Sequence, residues 1–506
     1  MANQLFARKP LSMLLEEMKG ENRLKRVLGP VGLTSLGVGA IIGTGIFVLI
    51  GEGAHDKAGP ALMLSFVVAG TACIFAALCY AEFASMVPVA GSAYTYAYAT
   101  LGELFAWIIG WDLVLEYAVG SATVANGWSK YFQSFIKLLG IQLPAAISKA
   151  PFDYNPELGK FVATTGYFDL PAVVIALLIT AVLVVGIKES VRFNSVMVVV
   201  KLAIVAFVII VGSFYVDPAN WTPFAPKGYS GISFFGHTIL GSSDAGGKPV
   251  GMLAGASMIF FAYIGFDSVS THSEEAKNPR RDLPIGIIVS LILCTILYIA
   301  VAAVLTGMVP SDKININAPI SDAFAQHKLQ WAEGLISVGA LTGITSVLLV
   351  LMLSQPRVFL AMARDGLVPP SFFGAIHEKF RTPWKSTILT GCCVAAMAGL
   401  LPLRILAELV NIGTLLAFVI VCAAVLIMRK TNPDAERPFR APLVPLTPIL
   451  GILTCLLLMF SLPGENWLRL LIWLLLGLVI YFAYGRKHSV MRTYLANHAA
   501  GESNKA

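Results

Sequence analysis

The sequence predicts an all-α integral membrane protein with twelve transmembrane helices. Three observations predict it. Of 506 residues, 57% are hydrophobic and only 13% charged, where soluble domains carry about 25% charged residues. Apolar runs of about 20 residues recur from end to end, each long enough to cross a hydrocarbon core of about 30 Å. No polar stretch is long enough to form a separate soluble domain.

The runs fall at 31–50, 61–87, 104–128, 170–187, 193–216, 250–272, 284–309, 333–353, 386–402, 405–428, 444–462 and 467–484. The longest gaps, 129–169 and 217–249, contain Gly and Pro and read as loops. The thirty residues before the first run carry mixed charge and lack the short apolar core and small-residue cleavage site of a secretory signal. Twelve spans place both termini on one side. The loops on that side hold more than twice the Lys and Arg of the opposite loops. That bias predicts cytoplasmic termini in an inner or plasma membrane. The net charge of +7 is thus explained by topology, and no basic, aromatic-interleaved domain exists to hold a nucleic acid. The seven cysteines lie in or near the runs without a CxxC pair, as small buried hydrophobes do.

Several motifs fail on context. GVGAIIG at 37–43 lacks the preceding strand and βαβ unit of a dinucleotide site. Gly247-Lys248 is followed by Pro249, so it is no Walker A loop, which argues against a nucleotide-driven pump. The seven histidines show no ligand spacing. No catalytic constellation or cofactor motif emerges, so the chain is not expected to be an enzyme. KNPRRD at 277–282 is the best candidate for a charged catalytic loop on a lipid-linked substrate. A positive-inside anchor with a turn at Asn278-Pro279 explains it more simply.

Two runs are interrupted. The first reads AIIGTGIFVL at 40–49, with Gly43 and Gly45 flanking Thr44. In hydrocarbon an orphaned backbone group costs several kcal/mol. A mid-membrane break is therefore tolerated only where freed groups line a cavity or meet a ligand. The alternative is close helix packing through small residues. The sixth run, GASMIFFAYIGFDSVSTHSEE, carries Gly265 near its middle and Asp267 just after it. If runs 1–5 and 6–10 are two halves, the breaks correspond, which is the best sequence pointer to a midplane transport site. A half-helix N-terminus suits a carboxylate, and freed carbonyls suit an ammonium. The pair suits a zwitterion, that is, an amino acid.

Ionisable groups lie within the runs. Glu116 sits near the centre of the third, with Asp112 one turn earlier on the same face. Asp267 lies in the sixth. Lys201 lies eight residues into the fifth, about 12 Å deep at 1.5 Å per residue. A charge there costs roughly 2.5–3.5 kcal/mol on insertion scales, so function is the default reading. Burial disfavours the charged form of either type of group, which makes each a candidate proton carrier. The alternatives are snorkelling for Lys201 and a static hydrogen-bonded network for Glu116 and Asp267.

IIGTGIFVL, YAEFASMVPVAGSAYTYAY, FFAYIGFDSVSTHSEEAKNPRRDLPIGI, RVFLAMARDGLVP and NIGTLLAF together resemble the amino acid–polyamine–organocation superfamily. Within it they are most similar to the cationic amino acid transporter group and its bacterial relatives. The resemblance runs from about Leu28 to the end of the tenth run. It implies the inverted-repeat fold of the leucine transporter type. Residues 1–30 would be a cytoplasmic segment, 31–216 and 250–428 the two five-helix repeats, 444–484 two extra helices, and 485–506 a cytoplasmic tail. It implies an amino acid held by Ile42, Gly43, Thr44 and Gly45 and by Phe261, Ala262, Ile264 and Gly265. Lys201 matches the lysine that replaces a bridging sodium ion in proton-coupled members, and Glu116 and Asp267 are further proton candidates. Leu351 is apolar where transporters of cationic substrates tend to carry a small or polar residue, which favours small neutral L-amino acids over cationic ones. The expected activity is sodium-independent, proton-coupled symport by a monomer without a cofactor, in contact with the lipid bilayer. A proton-independent exchanger or facilitator is the alternative.

Overall fold

The computed structural model describes residues 2–10, 13, 28–87, 91–155, 160–185, 190–234 and 237–503. Lys19, Arg23, Lys25 and Arg26 of the amino-terminal segment, and the end of the tail, lie outside the described residues. Each of the twelve expected apolar runs contains helix. Among the described residues, eight helical stretches are long and apolar enough to cross a membrane, and four further apolar helices are shorter.

In chain order the main helices are α1 (Pro30–Ile41), α2 (Leu62–Met86), α3 (Ser92–Thr100), α4 (Glu103–Leu138), α5 (Leu170–Val185), α6 (Ser190–Ser213) and α7 (Met252–Ile259). A one-turn helix, α8 (Ser268–Thr271), follows. The rest are α9 (Pro279–Met308), α10 (Pro319–Gln326), α11 (Gln330–Arg364), α12 (Trp384–Leu400), α13 (Leu403–Thr431), α14 (Leu446–Phe460), α15 (Gly464–Ile480) and α16 (Val490–Ser503). Pro at the first helical position starts α1, α9 and α10, where its missing N–H costs nothing. The core lies where α4 packs on α11 and α13, and where α9 packs on α1 and α2.

Two helices outrun their apolar stretches for the same reason: the polar residues beyond find partners. α4 continues to Leu138. Ser129 donates to Asp169 at 2.6 Å, Gln133 to the Ser148 carbonyl at 2.9 Å, and Lys130 pairs with Glu52 at 3.5 Å. α11 passes Ser354-Gln355-Pro356 and reaches Arg364, with Arg357 paired to Glu275 at 3.0 Å. The two stretches expected as loops also hold antiparallel two-stranded pairs. These are β1 (Phe152–Asn155) with β2 (Lys160–Ala163), β3 (Ile232–Phe234) with β4 (His237–Leu240), and β5 (Ser242–Ser243) with β6 (Pro249–Val250).

The ends of the chain meet. Buried Glu103 at the start of α4 accepts from Gln4 at 3.1 Å, Tyr98 at 3.0 Å, Tyr481 at 2.7 Å and Ser489. Gln4 also donates to the Arg486 carbonyl. Buried Lys9 pairs with Asp365 at 2.7 Å, and Tyr94 donates to the other oxygen of that carboxylate at 2.6 Å.

Candidate functional site

The first apolar run breaks where the sequence places its glycines. α1 stops at Ile41 because Ile42 turns extended, with φ −74° and ψ 102°. Helix resumes at Gly45 as a π-helical turn, Gly45–Leu49, and runs through short α and π pieces to Ala58. The freed carbonyls find partners, as a dry interior requires. Gly43 O accepts from the amides of Ile46 at 3.2 Å and Phe47 at 3.1 Å. Gly39 O and Ile42 O accept from Lys201 Nζ at 2.7 and 2.9 Å, and Ile41 O accepts from the Tyr298 hydroxyl at 2.8 Å.

The sixth run breaks as well. α7 passes into a 3-10 turn at Phe260–Tyr263, then a turn at 264–267, before α8. Gly265 has φ +114°, which side chains rarely adopt. A Cβ there would lie 2.9 Å from the Ala40 carbonyl oxygen, and one on Gly45 would lie 2.3 Å from the Ala262 Cα. The two breaks thus touch backbone to backbone. Close packing through small residues, one of the two alternatives in the sequence, is present at this crossing.

Beside the crossing is a cavity of about 10 Å³ lined by Ala40, Ile41, Thr44, Gly45, Val124, Phe261, Ile264, Val347 and Leu351. That is room for about one water molecule, not an amino acid. Of the residues named from the sequence, Thr44, Gly45, Phe261, Ile264 and Leu351 line it. The other four lie behind. A Cβ on Gly43 would meet Val347 at 2.6 Å. Ile42 offers its carbonyl to Lys201 and Ala262 its carbonyl to Tyr298, and Gly265 backs onto Ala40. Sequence reasoning missed Ala40, Ile41, Val124, Val347, Ser346 and Tyr298. Hydrophobic spacing marks α4 and α11 as buried but gives no sign of which residues face the breaks.

Lys201 is fully buried. Besides the two carbonyls its ammonium donates to Ser346 Oγ at 2.8 Å, so one side chain on α6 joins the end of α1 to α11. Its three bonds exhaust its three protons, and snorkelling is excluded. Glu116 and Asp267 are not among its partners. Asp267 accepts from Tyr117 at 2.6 Å. One oxygen each of Asp112, Glu116 and Asp267 is buried with no hydrogen-bond partner among the described residues. Ion pairs stand at both ends of the bundle. Arg404 meets Glu408 at 3.3 Å and Asp56 at 3.4 Å, where segment 45–58 finishes. Arg357 meets Glu275 where α1 begins. Burial pushes the Glu275 carboxyl up, but Arg357, with His272 beside it, outweighs burial and holds it below the ordinary range.

A family model described as amino acid permease matches residues 28–482. The chain belongs to the amino acid permease family. It is 47% identical over 97% of its length to a methylthioribose transporter of Bacillus subtilis and 49% identical over 97% to a branched-chain amino acid permease of the same organism; each match covers 99% of the relative. It is also 39% identical, over 85% of its length and 68% of the relative's, to the vacuolar cationic amino acid transporter 4 of Arabidopsis thaliana. The permease family and these relatives are transporters, not enzymes. With its apolar helices, the chain is a multi-pass membrane protein.

Proposed function

We propose that this permease is a secondary active transporter of small neutral L-amino acids, driven by protons and working by alternating access. It has twelve spans in two inverted five-helix repeats plus two carboxyl-terminal helices. As a monomer it sits in the cell membrane with both termini cytoplasmic. The carboxylate of the substrate binds the first amides of segment 45–58, at Thr44 and Gly45, and its ammonium binds carbonyls of the second break near Phe261 and Ile264. Cationic side chains are disfavoured because the lining is apolar apart from Thr44, and a guanidinium has five donors to satisfy.

The observation that carries the reading is the Lys201 ammonium on the Gly39 and Ile42 carbonyls and Ser346. It supports a proton switch. Charged, Lys201 holds the first break against α6 and α11; neutral, it cannot donate all three bonds and releases them. Glu116 and Asp267 are the further proton candidates, since each keeps a buried unpaired oxygen.

The test is competition by each of the twenty amino acids, and by methylthioribose, against radiolabelled L-alanine and L-leucine uptake in proteoliposomes. Competition by neutral apolar amino acids and none by arginine or lysine is expected. Methylthioribose has neither carboxylate nor ammonium, so strong competition by it alone would refute a site built for a zwitterion.

A further inference from the structure

Tyr298 of α9 is fully buried. Its ring is wedged between Phe66, at 5.4 Å between centroids, and Tyr263, also at 5.4 Å, which fixes where the hydroxyl points. That hydroxyl lies 2.8 Å from Ile41 O, the last carbonyl of α1, and 2.8 Å from Ala262 O in the second break. No other side chain among the described residues bonds to the backbone of both breaks. A phenol has one proton, so it donates to one carbonyl at a time and is shared between them.

The division of contacts gives Tyr298 a role distinct from that of Lys201. Lys201 ties the first break to α6 and α11; Tyr298 ties the first break to the second. Ile41 lines the cavity, and Ala262 is flanked by Phe261 and Ile264, which also line it. A zwitterion has a fixed distance between carboxylate and ammonium. Two half-sites on separate broken segments bind it well only while their offset is held to about 0.5 Å. We infer that Tyr298 is a positioning residue for amino acid recognition, setting the offset of the two broken segments through its shared hydroxyl. The inference rests on the amino acid site proposed above.

Tyr298→Phe keeps the ring and removes the hydroxyl. Tyr481→Phe is the matched control: it removes a buried phenol that donates to Glu103 at 2.7 Å, outside both breaks. The assay is initial-rate uptake of radiolabelled L-alanine and L-leucine in proteoliposomes, normalised to inserted protein, with thermal stability of each variant. The expected result is a KM raised about tenfold in Tyr298→Phe, with maximal rate changed less than twofold, and both constants within twofold of wild type in Tyr481→Phe. An unchanged KM in Tyr298→Phe overturns the inference, as does an equal rise in both variants. So does failure of Tyr298→Phe alone to insert, since the hydroxyl would then serve the fold. A wild type that takes up neither amino acid overturns the proposed function and this inference with it. Wild-type uptake with an unaltered Tyr298→Phe overturns this inference alone.

Discussion

A Cβ on Gly45 would stand 2.3 Å from the Ala262 Cα and 2.4 Å from its Cβ. Both are close to rigid backbone, so a methyl group must push the breaks apart. By contrast, a Cβ on Gly334 of α11 meets nothing within 4 Å. Gly45→Ala is therefore expected to insert but to lose at least nine-tenths of uptake, and Gly334→Ala to transport as wild type. Uptake per inserted protein checks both, and normal transport by Gly45→Ala would mean the breaks need not touch. Leu351 carries a different consequence: its side chain walls the cavity and touches no ion pair. Leu351→Ser removes much of that wall and adds a hydroxyl, and it should shift the competition profile towards longer or more polar amino acids. A profile identical to that of the wild type would remove Leu351 from the pocket.

The elements of the fold divide into those legible in the sequence and those that were not. The breaks were legible because glycines interrupt the first and sixth runs at corresponding positions, and Lys201 because a deep charge demands a partner. The reach of α4 and α11 was not, since Lys130, Gln133 and Arg357 end an apolar pattern without ending a helix. Their partners Glu52, Ser148 and Glu275 are distant in sequence. Nor was Tyr298, one apolar-compatible residue among many on α9. The docking of residues 2–10 was also hidden: nothing near Lys9 in sequence predicts Asp365. Removing one member of a buried ion pair typically costs 3–5 kcal/mol, whereas replacing both by apolar groups is often neutral. Lys9→Met alone should thus lower the melting temperature of the purified protein by several degrees, and the double variant Lys9→Met/Asp365→Leu should recover most of the loss. Equal melting temperatures for wild type and Lys9→Met would show that the tether adds no stability.

Taken together, the two breaks, Lys201 and the ion pairs at either end tie the centre of the bundle tightly, with about 10 Å³ of space at the crossing. In the proposed cycle an amino acid fits only after the segments part, and the bonds of Lys201 resist the parting of the first break from α6 and α11. An ammonium buried without a carboxylate partner is costly. Its hydrogen bonds, at about 1.5–3 kcal/mol each for a charged group, offset much of that cost and make the balance between charged and neutral forms sensitive to how the segments sit. Lys201→Ala removes the proposed switch while leaving the cavity lining in place. The decisive measurement is accumulation of L-alanine and L-leucine in proteoliposomes under an imposed inward proton gradient, with and without a protonophore, in sodium and in choline buffer, for wild type and Lys201→Ala. The wild type should accumulate substrate without sodium, more strongly as external pH falls, and stop with the protonophore; Lys201→Ala should exchange substrate but not accumulate it. Accumulation by Lys201→Ala, or a sodium requirement in the wild type, would contradict the assignment of the proton to Lys201.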